Sequence, residues 1–199
     1  MCGRYHIEPA DKSDELSRII DILQRKEGIS IKTGEVRPTD VAPIIANNRS
    51  MAATPFAMRW GYLGQGGQPI INARSETAAV KPMFRDGMKQ RRCLVPASHY
   101  FEWERHGSSK TKYAIKPVGY ETMYMAGLYR READQFAFTI LTRVPAESIA
   151  FMHDRMPVML PQSACKDWLN IRYDAEDVIR AAITDVHYEF AEDQQYSFL

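Results

Sequence analysis

The sequence predicts an α+β fold, a β-rich and curled, mostly antiparallel sheet core with helices at its flanks. Three observations carry that prediction. A single amphipathic helical pattern sits near the N-terminus, a long middle section reads as short β-rich runs split by Gly, Pro or clusters of charge, and two helical patterns follow late in the chain. With 199 residues, 45% hydrophobic and 26% charged, the chain is long enough to bury a core and frame a cleft. No repeat, linker or low-complexity stretch divides it, so one domain over residues 1–199 is expected.

The elements follow in order. "SDELSRIIDILQRKEG" puts Leu16, Ile19, Ile20 and Leu23 at helical spacing, with acids early, bases late and Gly28 placed to stop the helix. "TPFAMRWGYLG" alternates Phe56, Met58, Trp60 and Tyr62 as a strand does. "SETAAVKPMFRDGMKQ" reads as a short helix interrupted around Pro82. "RCLVPASHYFEWE", "KYAIKPV", "TMYMAGLY" and "QFAFTILT" are further β-rich runs. "PQSACKDWLN" and "DAEDVIRAAI" each begin with polar or acidic residues that suit the positive end of a helix.

Composition narrows the function classes. No run approaches the ~18 apolar residues of a membrane span, and the opening lacks the apolar core of a secretory signal. Cys2, Cys93 and Cys165 are odd in number, widely spaced and without a Cys-x-x-Cys pair. They fit a reducing, cytoplasmic setting better than a disulfide framework or a structural zinc site. The net charge of +1 hides an asymmetry: from Asp174 onward seven acids face one base, which leaves residues 1–173 at +7. Within that body, Arg74, Lys81, Arg85, Lys89, Arg91 and Arg92 crowd one stretch, as a polyanion-binding patch or an ordinary solvated face would.

Four places could carry chemistry. Trimming of Met1 would make Cys2 the first residue, with an α-amine of pKa about 7.7–8.0 and a thiol of about 8.5 on one carbon framework. Arg4 is close enough to favour the thiolate. This 1,2-aminothiol could serve an N-terminal-nucleophile amidohydrolase, in which the amine is base for the thiol. It could equally capture an aldehyde as an imine that sulfur closes to a thiazolidine. In "INARSET", Asn72, Arg74 and Glu76 alternate as on one side of an extended segment, where Asn72 could hold a sugar oxygen or the terminal amine and Arg74 a phosphate. In "YFEWE", Glu102 faces opposite to Phe101 and Trp103: outward if the aromatics fill the core, or into a desolvated cleft if the sheet curls. His153, between Met152 and Asp154, is a candidate proton shuttle. His6, His99, His106 and His187 show no metal-ligand spacing, so neither metal nor other cofactor is expected.

Taken in order, "MCGRY", "RWGYLG", "INARSETA", "RRCLVPASHYFEW" and "HDRMPVML" closely resemble the motif series of the SOS response-associated peptidase family, abasic-site-processing proteins. The resemblance spans roughly residues 1–170. It implies that Cys2, freed by autocatalytic loss of Met1, forms a thiazolidine crosslink with the ring-opened abasic deoxyribose of single-stranded DNA. It also implies a weak strand-cleaving lyase side activity. Asn72 would orient the terminus and the sugar, Glu102 would be the acid–base carboxylate, and His153 would assist ring opening and closure. Arg4, Arg74 and Arg155 would contact phosphates, and Trp60 and Pro43 would shape the DNA path. A monomer is expected, cytoplasmic and nucleoid-associated in a bacterium. The chain departs from the family pattern at "ASHY", where His99 would enter the cleft or fill its wall, at Asp40 in "DVAP", which adds a negative charge near the DNA path, and in the short acidic ending "HYEFAEDQQYSFL". The alternatives are the amidohydrolase, which lacks its usual Asn-Gly pair here, and a module holding single strands by charge and stacking alone.

Overall fold

A computed structural model describes residues 2–8, 14–27 and 31–191. Strand β1 (Arg4–Ile7) comes first, then helix α1 (Asp14–Glu27), whose Leu16, Ile19, Ile20 and Leu23 are buried as their spacing requires. Gly28, expected to stop this helix, lies outside the described residues. Strands β2 (Gly34–Val36), β3 (Val41–Asn47) and β4 (Ala53–Trp60) follow. The run predicted through Tyr62 is broken at Gly61, where φ is +106° and an added Cβ would lie 2.8 Å from Pro69. Beyond the break come the short hairpin β5 (Tyr62–Leu63) and β6 (Pro69–Ile70), and then β7 (Asn72–Arg74). Helices α2 (Ser75–Ala78) and α3 (Pro82–Gln90) are the two halves of the interrupted helix. Pro82 starts the second half, where its missing N–H leaves nothing unpaired.

The middle of the chain is β8 (Arg92–Ala97), β9 (His99–His106), β10 (Ser109–Pro117), β11 (Met123–Arg131) and β12 (Phe136–Arg143). A 3₁₀ turn at Glu147–Ile149, β13 (Met156–Pro157), β14 (Met159–Leu160), α4 (Gln162–Leu169) and α5 (Ala175–Arg180) lead to β15 (Val186–Phe190). Asp174 caps α5 by accepting from the N–H groups of Glu176 and Asp177 at 2.8 and 3.2 Å. The acidic start of "DAEDVIRAAI" thus caps its helix as expected, while β15 was not signalled by the composition of the acidic ending.

Two sheets form the core. In the larger, β12, β4, β3, β8 and β11 pair in turn, and β11 pairs back with β12 to close a five-strand ring. Most pairings are antiparallel, but β4 and β7 run parallel to β12 and occupy its same edge in succession, the first at Arg59 and Trp60, the second at Asn72 to Arg74. Inside the ring lie Cys93, Val95, Met125, Phe138 and Ile140; outside, Leu94, Ala126, Leu128 and Leu141 pack under the helices. Both faces of β8 are therefore buried, and its run is apolar rather than alternating. At Gly127 an added Cβ would stand 2.9 Å from Cys93 Sγ, so the interior has no room there for a side chain.

The second sheet runs β15–β10–β9–β1–β2, all antiparallel. The chain passes from one sheet to the other at Ser98, whose N–H donates to His6 O at 2.8 Å. Because β1 begins at Arg4, opposite Phe101, residues 102–106 of β9 project past it and leave a notch. The candidate site lies in that notch.

Candidate functional site

Cys2 is fully buried at the junction of the sheets and belongs to the main core cluster. Its backbone carbonyl accepts from Asn72 Nδ2 at 2.9 Å. That bond follows from the parallel register, since Asn72 stands opposite Ile140 on β12 and shares its inward face. The Cys2 thiol points back toward Arg4 O at 3.9 Å. Burial, and then the nearby Glu102 carboxylate, push its pKa far above the ordinary thiol value, so the sulfur is a protonated thiol. Arg4 does not reverse this, because its guanidinium lies against Glu35 Oε1 at 3.1 Å and over the Trp103 ring at 5.0 Å.

Glu102 faces inward. The register puts it on the same face as Tyr100 and Tyr113, while Phe101 and Trp103 occupy the other face, where Lys112 Nζ lies 4.2 Å and 5.8 Å from their ring centroids. The curled sheet makes the Glu102 face the concave one. Only 4% of Glu102 is exposed, and desolvation raises its carboxyl pKa above the ordinary value. His153 lies across the notch. Its Nδ1 is 2.6 Å from Asp154 Oδ1 and 3.1 Å from the Arg155 N–H. The two contacts demand opposite things of one atom, a proton for the carboxylate and a lone pair for the N–H. Burial lowers the His153 pKa and the Asp154 carboxylate opposes that shift.

Between these groups opens a cleft of about 640 Å³ lined by Gly3, Arg4, Glu102, Trp103, Arg105, Lys110, Phe151, Met152 and His153. Arg105 and Lys110 are cross-strand partners at the end of the β9–β10 hairpin and bring two exposed cations to its rim. They escaped the sequence analysis, although "RHGSSKTK" after the aromatic-Glu-Trp run is a turn with bases on both sides. Phe151, two residues before His153, was missed as well.

The remaining expected residues divide. Arg74 is exposed at the end of β7. The extended segment stops there: Glu76 belongs to α2 and pairs with Arg155 through two bonds of 2.8 and 2.7 Å. Arg155 is 8% exposed and also donates to Thr142 O at 2.6 Å, so its guanidinium is consumed internally rather than offered to a phosphate. Trp60 is fully enclosed, with Nε1 donating to Ile71 O at 3.1 Å, and Pro43 is buried in β3. Neither presents a surface to a nucleic acid. In the basic stretch, Lys81, Arg85 and Lys89 are exposed, but Arg92 is buried, bonded to Met88 O and Tyr173 O and laid over Trp168. His99 stacks on His6 at 4.7 Å, and burial followed by the charge of His6 pushes its pKa down to about 4. It lines a separate cavity of about 410 Å³ with Glu8, Lys116 and His187. Asp40 is taken up locally, its Oδ2 accepting from the Arg37 N–H at 2.9 Å. Among the described residues, no cluster of His, Cys, Asp and Glu could hold a metal, and no helix is long and apolar enough to cross a membrane.

The family model described as "SOS response associated peptidase (SRAP)" matches residues 1–194. The chain belongs to the SOS response-associated peptidase family. Two Bacillus subtilis (strain 168) relatives in that family are the abasic site processing proteins YoaM, 32% identical over all of this chain and 92% of its own length, and YobE, 33% identical over all of this chain and 95% of its own. A crystal structure of a Bacteroides thetaiotaomicron protein superposes with a TM-score of 0.79 over 96% of this chain and 93% of its own; at 22% identity it speaks for the fold. In this fold Glu102 and His153 line one cleft, and the Asn72 bond holds the Cys2 carbonyl next to Gly3 at its edge.

Proposed function

We propose that this protein processes abasic sites in single-stranded DNA by forming a covalent thiazolidine between Cys2 and the ring-opened sugar. The observation that carries the proposal is the cation-rimmed cleft that Glu102 and His153 line together with Gly3, whose neighbour Cys2 is buried beside it with its carbonyl held by Asn72. The full-length relatives named abasic site processing proteins support it.

The first nucleophile is the α-amine that loss of Met1 exposes. Its nitrogen adds to the C1′ aldehyde, and water leaves to give the imine. The S–H then adds across the C=N bond: sulfur bonds to carbon, the proton goes to nitrogen, and the ring closes without oxidant or reductant. Glu102, with its raised pKa, can give a proton to the departing hydroxyl and take one from the thiol. His153 can assist ring opening. Arg4, Arg74, Arg105 and Lys110 hold the phosphates, and β-elimination from the imine would account for strand cleavage.

The test is incubation with a single-stranded oligonucleotide carrying one abasic site, resolved on a denaturing gel and by intact mass. We expect a species weighing the Met1-trimmed protein plus DNA less one water, absent from Cys2→Ala. Cys2→Ser should form an imine that borohydride traps but no adduct that survives without it. Equal crosslinking by Cys2→Ala would overturn the proposal.

A further inference from the structure

We propose that Phe151, Tyr188 and Phe190, packed around Tyr113, form a stacking platform for the bases next to the reacting sugar. This rests on the function proposed above and adds a specificity element to it. Phe190 stands opposite Tyr113 on the neighbouring strand, and Tyr113 stands opposite Glu102 on the next, so all three share the concave face of the second sheet. The rings form a chain outward from the cleft. Phe151 lines the cleft itself, lies 6.0 Å from Tyr113 and 5.6 Å from Tyr188, and Tyr113 lies 5.0 Å from Phe190 at an interplanar angle of 30°.

Burial does not explain these residues. Phe190 is 76% exposed, Phe151 49% and Tyr188 38%, whereas Tyr113, the ring they surround, is 7% exposed. Several open aromatic faces gathered on one surface mark an interaction site. The occupant is argued from charge: the platform continues a cleft that carries Arg4, Arg105 and Lys110, and a cationic groove beside open rings suits a single strand whose backbone tracks the charges while its bases stack. Strand alternation turns Glu189 away, while Glu104 on the platform's own side accepts from the Tyr113 hydroxyl at 3.0 Å. His187 and Glu189 of β15 point to the opposite face, where they line the other cavity with Glu8 and Lys116.

The probes are a fluorescent oligothymidylate decamer and a decamer of base-free abasic-analogue spacers with the same backbone charge, read by anisotropy across a salt series. We expect the wild-type protein to prefer the base-bearing strand and Phe190→Ala to lose roughly 5- to 150-fold of that affinity, the range typical of one stacked base. The salt slope should not change, because no phosphate contact is removed. Phe190→Trp should restore binding, which a folding defect would not allow. Equal wild-type binding to the two strands, or an unaltered preference in Phe190→Ala, would overturn the platform. Adduct formation by the wild-type protein on an abasic strand is scored separately, so loss of the platform and loss of the proposed reaction are distinct results.

Discussion

Arg155→Ala separates a structural arginine from a phosphate-binding one. The guanidinium makes two bonds to Glu76, at 2.8 and 2.7 Å, and one to Thr142 O at 2.6 Å, and is itself 8% exposed. The Glu76 side chain is 46% exposed and rehydrates when its partner is removed, so that pair contributes little to the loss. The larger part comes from stripping the charged donor from the buried Thr142 carbonyl and from the lost packing of the arginine stem, together about 2–4 kcal/mol. With a urea m-value of about 2–3 kcal/mol per molar, the unfolding midpoint should fall by about 1 M. Glu76 adds a pH signature. Its carboxyl is held below the ordinary 4.5, chiefly by the Arg155 hydrogen bonds. A depressed folded-state pKa stabilises fully above the unfolded value, and the effect is lost as pH falls through the folded value. The gap between wild type and variant should therefore narrow below about pH 4.5. Single-strand binding followed against salt supplies the opposing measurement. An unmoved urea midpoint, with a log–log slope shallower by the ~0.7 expected for one phosphate contact, would refute the structural assignment.

Two further substitutions probe the cleft. Glu102→Gln should slow adduct formation by about 10²–10⁴-fold, the range of general acid–base catalysis, while raising stability at neutral pH. The sign follows from burial: a carboxyl whose folded pKa is raised costs stability once pH climbs past its unfolded value. The variant's advantage in thermal unfolding should therefore vanish as pH drops below 4.5, and a variant less stable than wild type at pH 7 would contradict the desolvation. Asn72→Ala removes the 2.9 Å bond to the Cys2 carbonyl, worth about 1 kcal/mol. We expect adduct formation at saturating DNA to be about five-fold slower with binding unchanged; weaker binding at an unchanged rate would make Asn72 a DNA contact instead.

The second sheet explains why the glutamate could be named but not aimed. Alternation within "YFEWE" established that Glu102 opposes its aromatic neighbours, and that much is local geometry. Which face is buried depends on what lies across the sheet. Here Lys112 draws Phe101 and Trp103 to the outer side, and the concavity around Cys2 takes Glu102. Arg155 shows the same limit in reverse. Its neighbours in "HDRMP" make it look like a site residue, but Glu76 and Thr142 reach it from segments distant in the chain.

The sequence by itself determined the main helices, most of the strands and the interruption near Pro82, because side-chain period and capping chemistry are written in neighbouring residues, and through the order of its motifs it named Cys2, Asn72, Glu102 and His153 as candidates. Only the tertiary structure decided that Cys2 is a buried protonated thiol and that Trp60, Pro43, Arg92 and Arg155 are internal. It alone brought Arg105, Lys110, Phe151 and the rings of β15 to the cleft side. Burial, desolvation and cross-strand register are set by partners far apart in the chain, and they exist only once the ring closes and the second sheet folds over its end.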